Sequence, residues 1–91
     1  MNTSTYQIIQ VNQEHNLYQV ELTTQESKKI IFFHVTQETD LLLKNGEVVE
    51  KQLFVLKPVV FDPRTSRFSA ASEVAGESFQ EALDLLISRF S

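Results

Sequence analysis

The side chains able to do chemistry are few and scattered along the chain. His15 and His34 are the only imidazoles in 91 residues, and there is no cysteine. Without thiols the chain can hold no disulfide, thiolate nucleophile, iron–sulfur cluster or common cysteine zinc site. His15 lies in "NQEHN" (12–16), where a solvated turn residue is a simpler assignment than a base or ligand. His34 follows Phe32 on one face of an apolar stretch, and a histidine at the rim of the core is expected there. Neither belongs to a HExxH-like spacing, and no carboxylate stands two residues from His34.

The serines and threonines lack a GxSxG context. Two glycines cannot build a phosphate-cradling loop or a dinucleotide fingerprint. Glu47 and Glu50 follow an Asn45-Gly46 pair and Asp62 opens a second turn, so they read as solvated turn acids rather than a general acid–base pair. No catalytic residue, metal ligand or cofactor is assigned, and the chain is expected not to be an enzyme.

One stretch has the composition of a recognition site. "FDPRTSRF" (61–68) sets Arg64 and Arg67 beside Phe61 and Phe68 at a tight turn, and Pro58 precedes it. Arginine with aromatics is the composition of interface hot spots and also suits carboxylate or phosphate recognition. Pro58, Phe61, Arg64, Arg67 and Phe68 are therefore the candidate binding residues for a protein partner. The plainer alternative makes both arginines solvated turn charges near Asp62 and both phenylalanines core.

The elements that must position these residues follow from apolar periodicity. "TYQIIQV" (5–11), "LYQVELT" (17–23) and "KKIIFFHV" (28–35) read as strands of a three-stranded meander, joined by "NQEHN" and "TQESK". In the second strand Tyr18, Val20 and Leu22 share one face and polar residues the other. The third differs: Ile30, Phe32 and His34 alternate with Ile31, Phe33 and Val35, so both faces are largely apolar and both need cover. Asn45-Gly46 between apolar flanks predicts a type I′ hairpin, because both residues tolerate positive φ. A short helix over "TQETDLLLK", capped by Thr39 and ended by Gly46, is the competing assignment. "QLFVLKPVVF" (52–61) is another doubly apolar strand, and Pro58 places it at an edge or at a bulge or bend. "DPRT" (62–65) turns the chain back through "SRFSA".

The C-terminal helix is the clearest element. Ser78 and Glu81 fit a capping box, Gly76 breaks the chain before it, and Phe79, Leu83, Leu86, Ile87 and Phe90 recur at helical spacing. A helix over 79–90 is expected to bury those five. At 1.5 Å per residue it is roughly 18 Å long and covers only part of a sheet whose strands lie ~4.8 Å apart. Apolar surface is left for the sheet itself or for another chain to cover.

With 42% hydrophobic and 22% charged residues, the sequence describes one globular domain over 1–91. The expected class is α+β: a curved, meander-like antiparallel sheet of five or six strands with one C-terminal helix packed on it. A net charge of −4 opposes generic binding to a phosphate backbone, so nucleic acid is not an expected partner. The N-terminal stretch has no positive charge before its short apolar run, and no run is long enough to span a membrane. A mature, soluble, cytoplasmic chain is the expectation. The function expected is a noncatalytic interaction, regulatory or assembly domain using a sheet edge or apolar sheet face, for a protein partner or for a second copy as a homodimer. The alternative is a small-ligand binder with a pocket between helix and sheet, lined by Phe32, Phe54 and Leu83.

Overall fold

The computed structural model describes residues 5–23 and 28–90, the side chain of Thr5 excepted. The turn expected over 24–27 and the first four residues lie outside them. The fold is the α+β class that the patterning predicts: an open, curved antiparallel sheet with a C-terminal helix. The strands are β1 (Thr5–Asn12), β2 (Leu17–Thr23), β3 (Lys28–Lys44), β4 (Glu47–Asp62), β5 (Arg67–Ala70) and β6 (Val74–Gly76), followed by α1 (Phe79–Phe90). Strands β1 to β5 form a meander in chain order. β6 pairs with Phe54–Leu56 of β4, on the edge that β5 occupies further along at Val59–Asp62. Among the described residues no helix is long and apolar enough to cross a membrane.

The helix covers one face of the sheet. Val20, Ile31, Phe33, Leu56 and Val74 meet Ala82, Leu83 and Leu86 in a single cluster, with Tyr18, Val35, Phe54, Val60, Phe79, Ile87 and Phe90 packed around it. Of the five helix residues expected to be buried, Leu83 and Leu86 are; Phe79, Ile87 and Phe90 are half-buried, and Ala82 takes a buried place instead. Small Ala82 sits where the helix passes closest to β6. A Cβ added to Gly76 would stand 2.6 Å from the Ala82 nitrogen, so Gly76 is needed for close approach and not only to break the chain. Ser78 Oγ accepts the Glu81 N–H at 3.1 Å, and Glu81 Oε2 accepts the Glu77 N–H at 3.2 Å. The capping box is therefore present, with its return bond one residue upstream of the usual partner.

Asn45 and Gly46 have φ of 54° and 81°, the pair of positive values that a type I′ turn requires. The hairpin assignment holds and the short helix does not form. What the sequence does not announce is length: β3 and β4 pair without a register break from Ile30–Phe61 to Lys44–Glu47. β2 leaves β3 at His34, and β6 leaves β4 at Phe54. Beyond those points the two strands run on as a two-stranded arm, Thr36 to Leu53. Its first strand extends about 30 Å at ~3.3 Å per residue, and the longest dimension of the molecule is 52 Å.

Pro58 lies on neither an edge nor a bulge. β4 is flanked by β3 and by β5 and β6, and its register with β3 is continuous through Phe33–Pro58. The Pro58 carbonyl accepts the Ala71 N–H at 3.1 Å, so the missing N–H also points toward that side, away from β3. There the β5–β6 edge is interrupted at residues 71–73. The proline thus removes a bond where no ladder runs, which is how an interior strand accommodates it.

Candidate functional site

Strand alternation and the helix together divide the aromatic residues into two sets. Tyr18 and Phe33 stack on the helix side and Phe79 of α1 tilts against both, with ring centroids 5.5 to 6.4 Å apart. Phe32, Phe61 and Phe68 gather on the opposite face, Phe61–Phe68 at 4.8 Å and Phe32–Phe68 at 6.1 Å. Ile30, Phe61 and Phe68 are neighbours across β3, β4 and β5, and Phe32, Val59 and Ala70 form the next row. Among the described residues the chain lays no helix over these rows. Phe68 keeps 62% of its surface exposed, and Ile30, Phe32, Val59 and Phe61 are half-buried.

The residues expected at the recognition site divide accordingly. Phe61 and Phe68 come together on this open face. Arg64 is in the adjoining turn with its side chain 91% exposed and its Nε 3.7 Å from Asp62 Oδ1. Asp62 Oδ1 also accepts the Arg64 N–H at 2.9 Å, an Asx turn that fixes the loop. Arg67, opposite Asp62 in the register, is exposed, but it alternates with Phe68 and so belongs to the helix face rather than the open one. Pro58 is buried, so it is removed from the candidate surface. Ile30, Phe32 and Val59 belong to that surface and were not among the expected site residues. The alternation within "KKIIFFHV" is the signal that finds the first two.

The arm is a second surface on which none of the described residues packs. Every residue from Thr36 to Glu50 is exposed, including Leu41 (66%), Leu43 (78%) and Val48 (68%). Leu41, Leu43 and Val48 share one face, Leu42 and Val49 the other. Charged cross-strand pairs flank Leu42–Val49 on that second face: Asp40–Lys51 on one side and Lys44–Glu47 on the other. At the root of the arm, Lys51 is ion-paired with Glu77, whose hydrogen bond and charge raise the lysine pKa above its ordinary value. Gln52 Nε2 donates to Thr39 Oγ1 at 2.9 Å.

Among the described residues two hollows lie against the helix face. One of about 570 Å³ is lined by Lys28, Lys29, Val60, Asp62, Arg64 and Phe90, among others. Its cations are already engaged: Lys28 with Glu21 at 2.8 Å, Lys29 with the Phe90 carbonyl at 3.0 Å, Arg64 with Asp62. The other, of about 620 Å³, lies at the arm root between Asn16, Tyr18, Val35, Phe54 and Phe79. The pocket expected from Phe32, Phe54 and Leu83 is not assembled. Phe32 is on the open face and Leu83 is in the core at 2% exposure.

His34 is exposed, and its Nδ1 lies 3.1 Å from the His15 carbonyl. A carbonyl only accepts, so Nδ1 carries the proton. Among the described residues every buried side chain is apolar, and no three His, Cys, Asp or Glu residues converge. No protein-family model, curated protein or solved structure matches the chain.

Proposed function

We propose that the protein is a noncatalytic interaction domain that holds a protein partner on the open face of its sheet. The observation carrying this reading is the aromatic triad Phe32, Phe61 and Phe68, packed ring to ring on a face that the helix does not cover. Phe68, at 62% exposure, is the anchor. Ile30 and Val59 supply flat apolar area around it. At one end the turn carries exposed Arg64, while Arg67 alternates with Phe68 and stands on the helix side, so the charge near this face comes from the turn alone. Exposed apolar surface of this kind on a small domain marks a contact site. A chain without cysteine suits a cytoplasmic setting.

Photo-crosslinking in the native cell tests this. A photoreactive residue in place of Phe68 is expected to give a discrete adduct with one or a few proteins, and the same residue in place of Leu85, exposed on the outer side of the helix, is expected to give none. Equal labelling from both positions contradicts the reading.

A further inference from the structure

We infer that the arm is a self-association device: two copies pair antiparallel through the free edge of β3, centred on Leu42, and fuse their arms into one four-stranded sheet. This goes beyond the open-face reading and uses a different part of the molecule.

The edge is open for pairing. In an antiparallel strand a residue's N–H and C=O point to the same side, and the side alternates from one residue to the next. Val35 donates its N–H outward to the Asn16 carbonyl at 3.1 Å, so the odd-numbered residues that follow in β3, Gln37 to Leu43, present N–H and C=O outward, with no strand beside them among the described residues. The even-numbered residues pair inward with β4. A ribbon of two strands alone is marginal in water, and a long apolar edge is a template for another strand.

The sequence of that edge selects a second copy of itself. Residues 40–44 read Asp-Leu-Leu-Leu-Lys. Run antiparallel against itself about Leu42, this segment sets Asp40 opposite Lys44 of the second copy at both ends. Leu41 then faces Leu43 of the second copy, and Leu42 faces its own equivalent. Leu41 and Leu43 are outward-pointing, so they exchange backbone hydrogen bonds in this register. The neighbouring strands extend the match. Asp40 already pairs with Lys51, and Lys44 with Glu47. One row across the four strands is therefore Lys51, Asp40, then Lys44 and Glu47 of the second copy, which alternates in sign throughout. The next row is Val49, Leu42 and their two equivalents, wholly apolar. Moving the centre to Leu41 sets Asp40 against a leucine, and moving it further to Asp40 sets two aspartates face to face, which is destabilising.

Space permits the contact. In this register the tip of the second copy ends opposite Glu38 and Thr39, short of the turn at Asn16 where β2 leaves β3. The arrangement has a two-fold axis at Leu42, so it closes as a dimer and does not propagate through that edge.

Sedimentation equilibrium of the full chain from about 1 to about 500 µM tests this. The wild type is expected to move from the mass of one chain toward twice that mass. Leu41→Pro removes an outward N–H and leaves the inward bonds of the hairpin intact. It is expected to weaken association by at least about tenfold while the helical signal is kept. The variant Asp40→Lys, Lys44→Glu, Glu47→Lys, Lys51→Glu, Glu77→Lys reverses every charge in the pattern together with the Glu77 that holds Lys51, and is expected to pair with itself. It is expected to form no mixed dimer with the wild type, because each end then opposes like charges. Phe68→Ala, on the open face, is expected to leave the dimer unchanged, so loss of partner capture and loss of self-pairing are read separately. A wild type that stays one chain throughout, a Leu41→Pro variant that associates as the wild type does, or mixed dimers as abundant as homodimers would overturn the inference.

Discussion

Ile31 and Leu41 stand on the same face of the same strand, each opposite a residue of β4 in one unbroken register, yet Ile31 is fully buried and Leu41 is 66% exposed. The ladder beneath them is the same. The difference is the third layer: α1 lies over Ile31, Phe33 and Leu56 and ends before the arm. Leu22 and Leu43 make the same contrast, at 0% and 78% exposure. Backbone pairing makes a strand, but it does not bury one. Burial comes from what is stacked on the pleat, and one 12-residue helix is enough for half of this sheet on one side. The arm, the open aromatic face and the exposed apolar residues of β1, Ile9 among them, are what it leaves.

The comparison breaks most completely if the helix is taken away. Removing residues 78–91 strips Leu83 and Leu86, and half-buried Phe79 and Phe90, from the sheet. A fully buried large apolar side chain contributes about 1.5–3 kcal/mol, so the sum rivals the ~5–15 kcal/mol that holds a domain together. The truncated chain is expected to lose its cooperative melt, since the body then becomes a second arm. Removing the arm instead should do little to the body. Asn-Gly in place of residues 39–52 closes the hairpin on Glu38 and Leu53, an inward-pointing pair suited to a two-residue turn. At low protein concentration, where association does not contribute, its melting temperature is expected to stay within about 5 °C of the parent. A collapse there would show that the arm supports the body.

Smaller changes sharpen the contrast at the joint between helix and sheet. Gly76→Ala drives a methyl against the backbone of Ala82 at 2.6 Å, and overpacking of this kind costs about 1–3 kcal/mol. Chemical denaturation reads it directly. Ser78→Ala removes the hydrogen bond to the Glu81 N–H and is expected to cost about 1 kcal/mol in the same assay. The smallest effect belongs to the turn beside the open face. Replacing Arg64 and Arg67 together by Ala is expected to leave the melting temperature nearly unchanged, because both are exposed and the Arg64–Asp62 contact is a surface one. A large drop would make the arginines structural.

How much of this is legible in the sequence differs by region for physical reasons. The helix, its cap and the Asn45-Gly46 turn are all readable, because each rests on local chemistry: a 3,4 apolar spacing, a hydroxyl three residues before a Glu, two residues that tolerate positive φ. The two apolar faces of "KKIIFFHV" are equally plain, although the helix decides which of them is covered. The reach of β3 through Lys44 is not plain. "TQET" (36–39) is polar on both faces and opens the competing helix assignment, while in the fold it is strand exposed on both sides. β6 is three residues long and carries no periodicity; its buried Val74 and close-packed Gly76 are defined only by the helix above them. Pro58 suggested an edge because proline breaks ladders. The chain instead placed the gap in the neighbouring edge, a tertiary choice that no local signal records. Among the expected site residues, Phe61 and Phe68 share the open face, and Pro58 does not reach it.

Residue-resolved amide hydrogen exchange of the wild-type chain at high concentration tests most directly whether the arm's free edge is covered. Leu42 and Lys44 bond inward to β4 in either case and are protected whenever the hairpin is formed. Leu41 and Leu43 point outward, away from every described strand of their own chain. Protection at Leu41 and Leu43 approaching that of Leu42, and falling away as the protein is diluted, is the expected result. Leu41 and Leu43 exchanging freely at every concentration while Leu42 stays protected would show an edge that nothing covers, and would contradict the pairing of two arms.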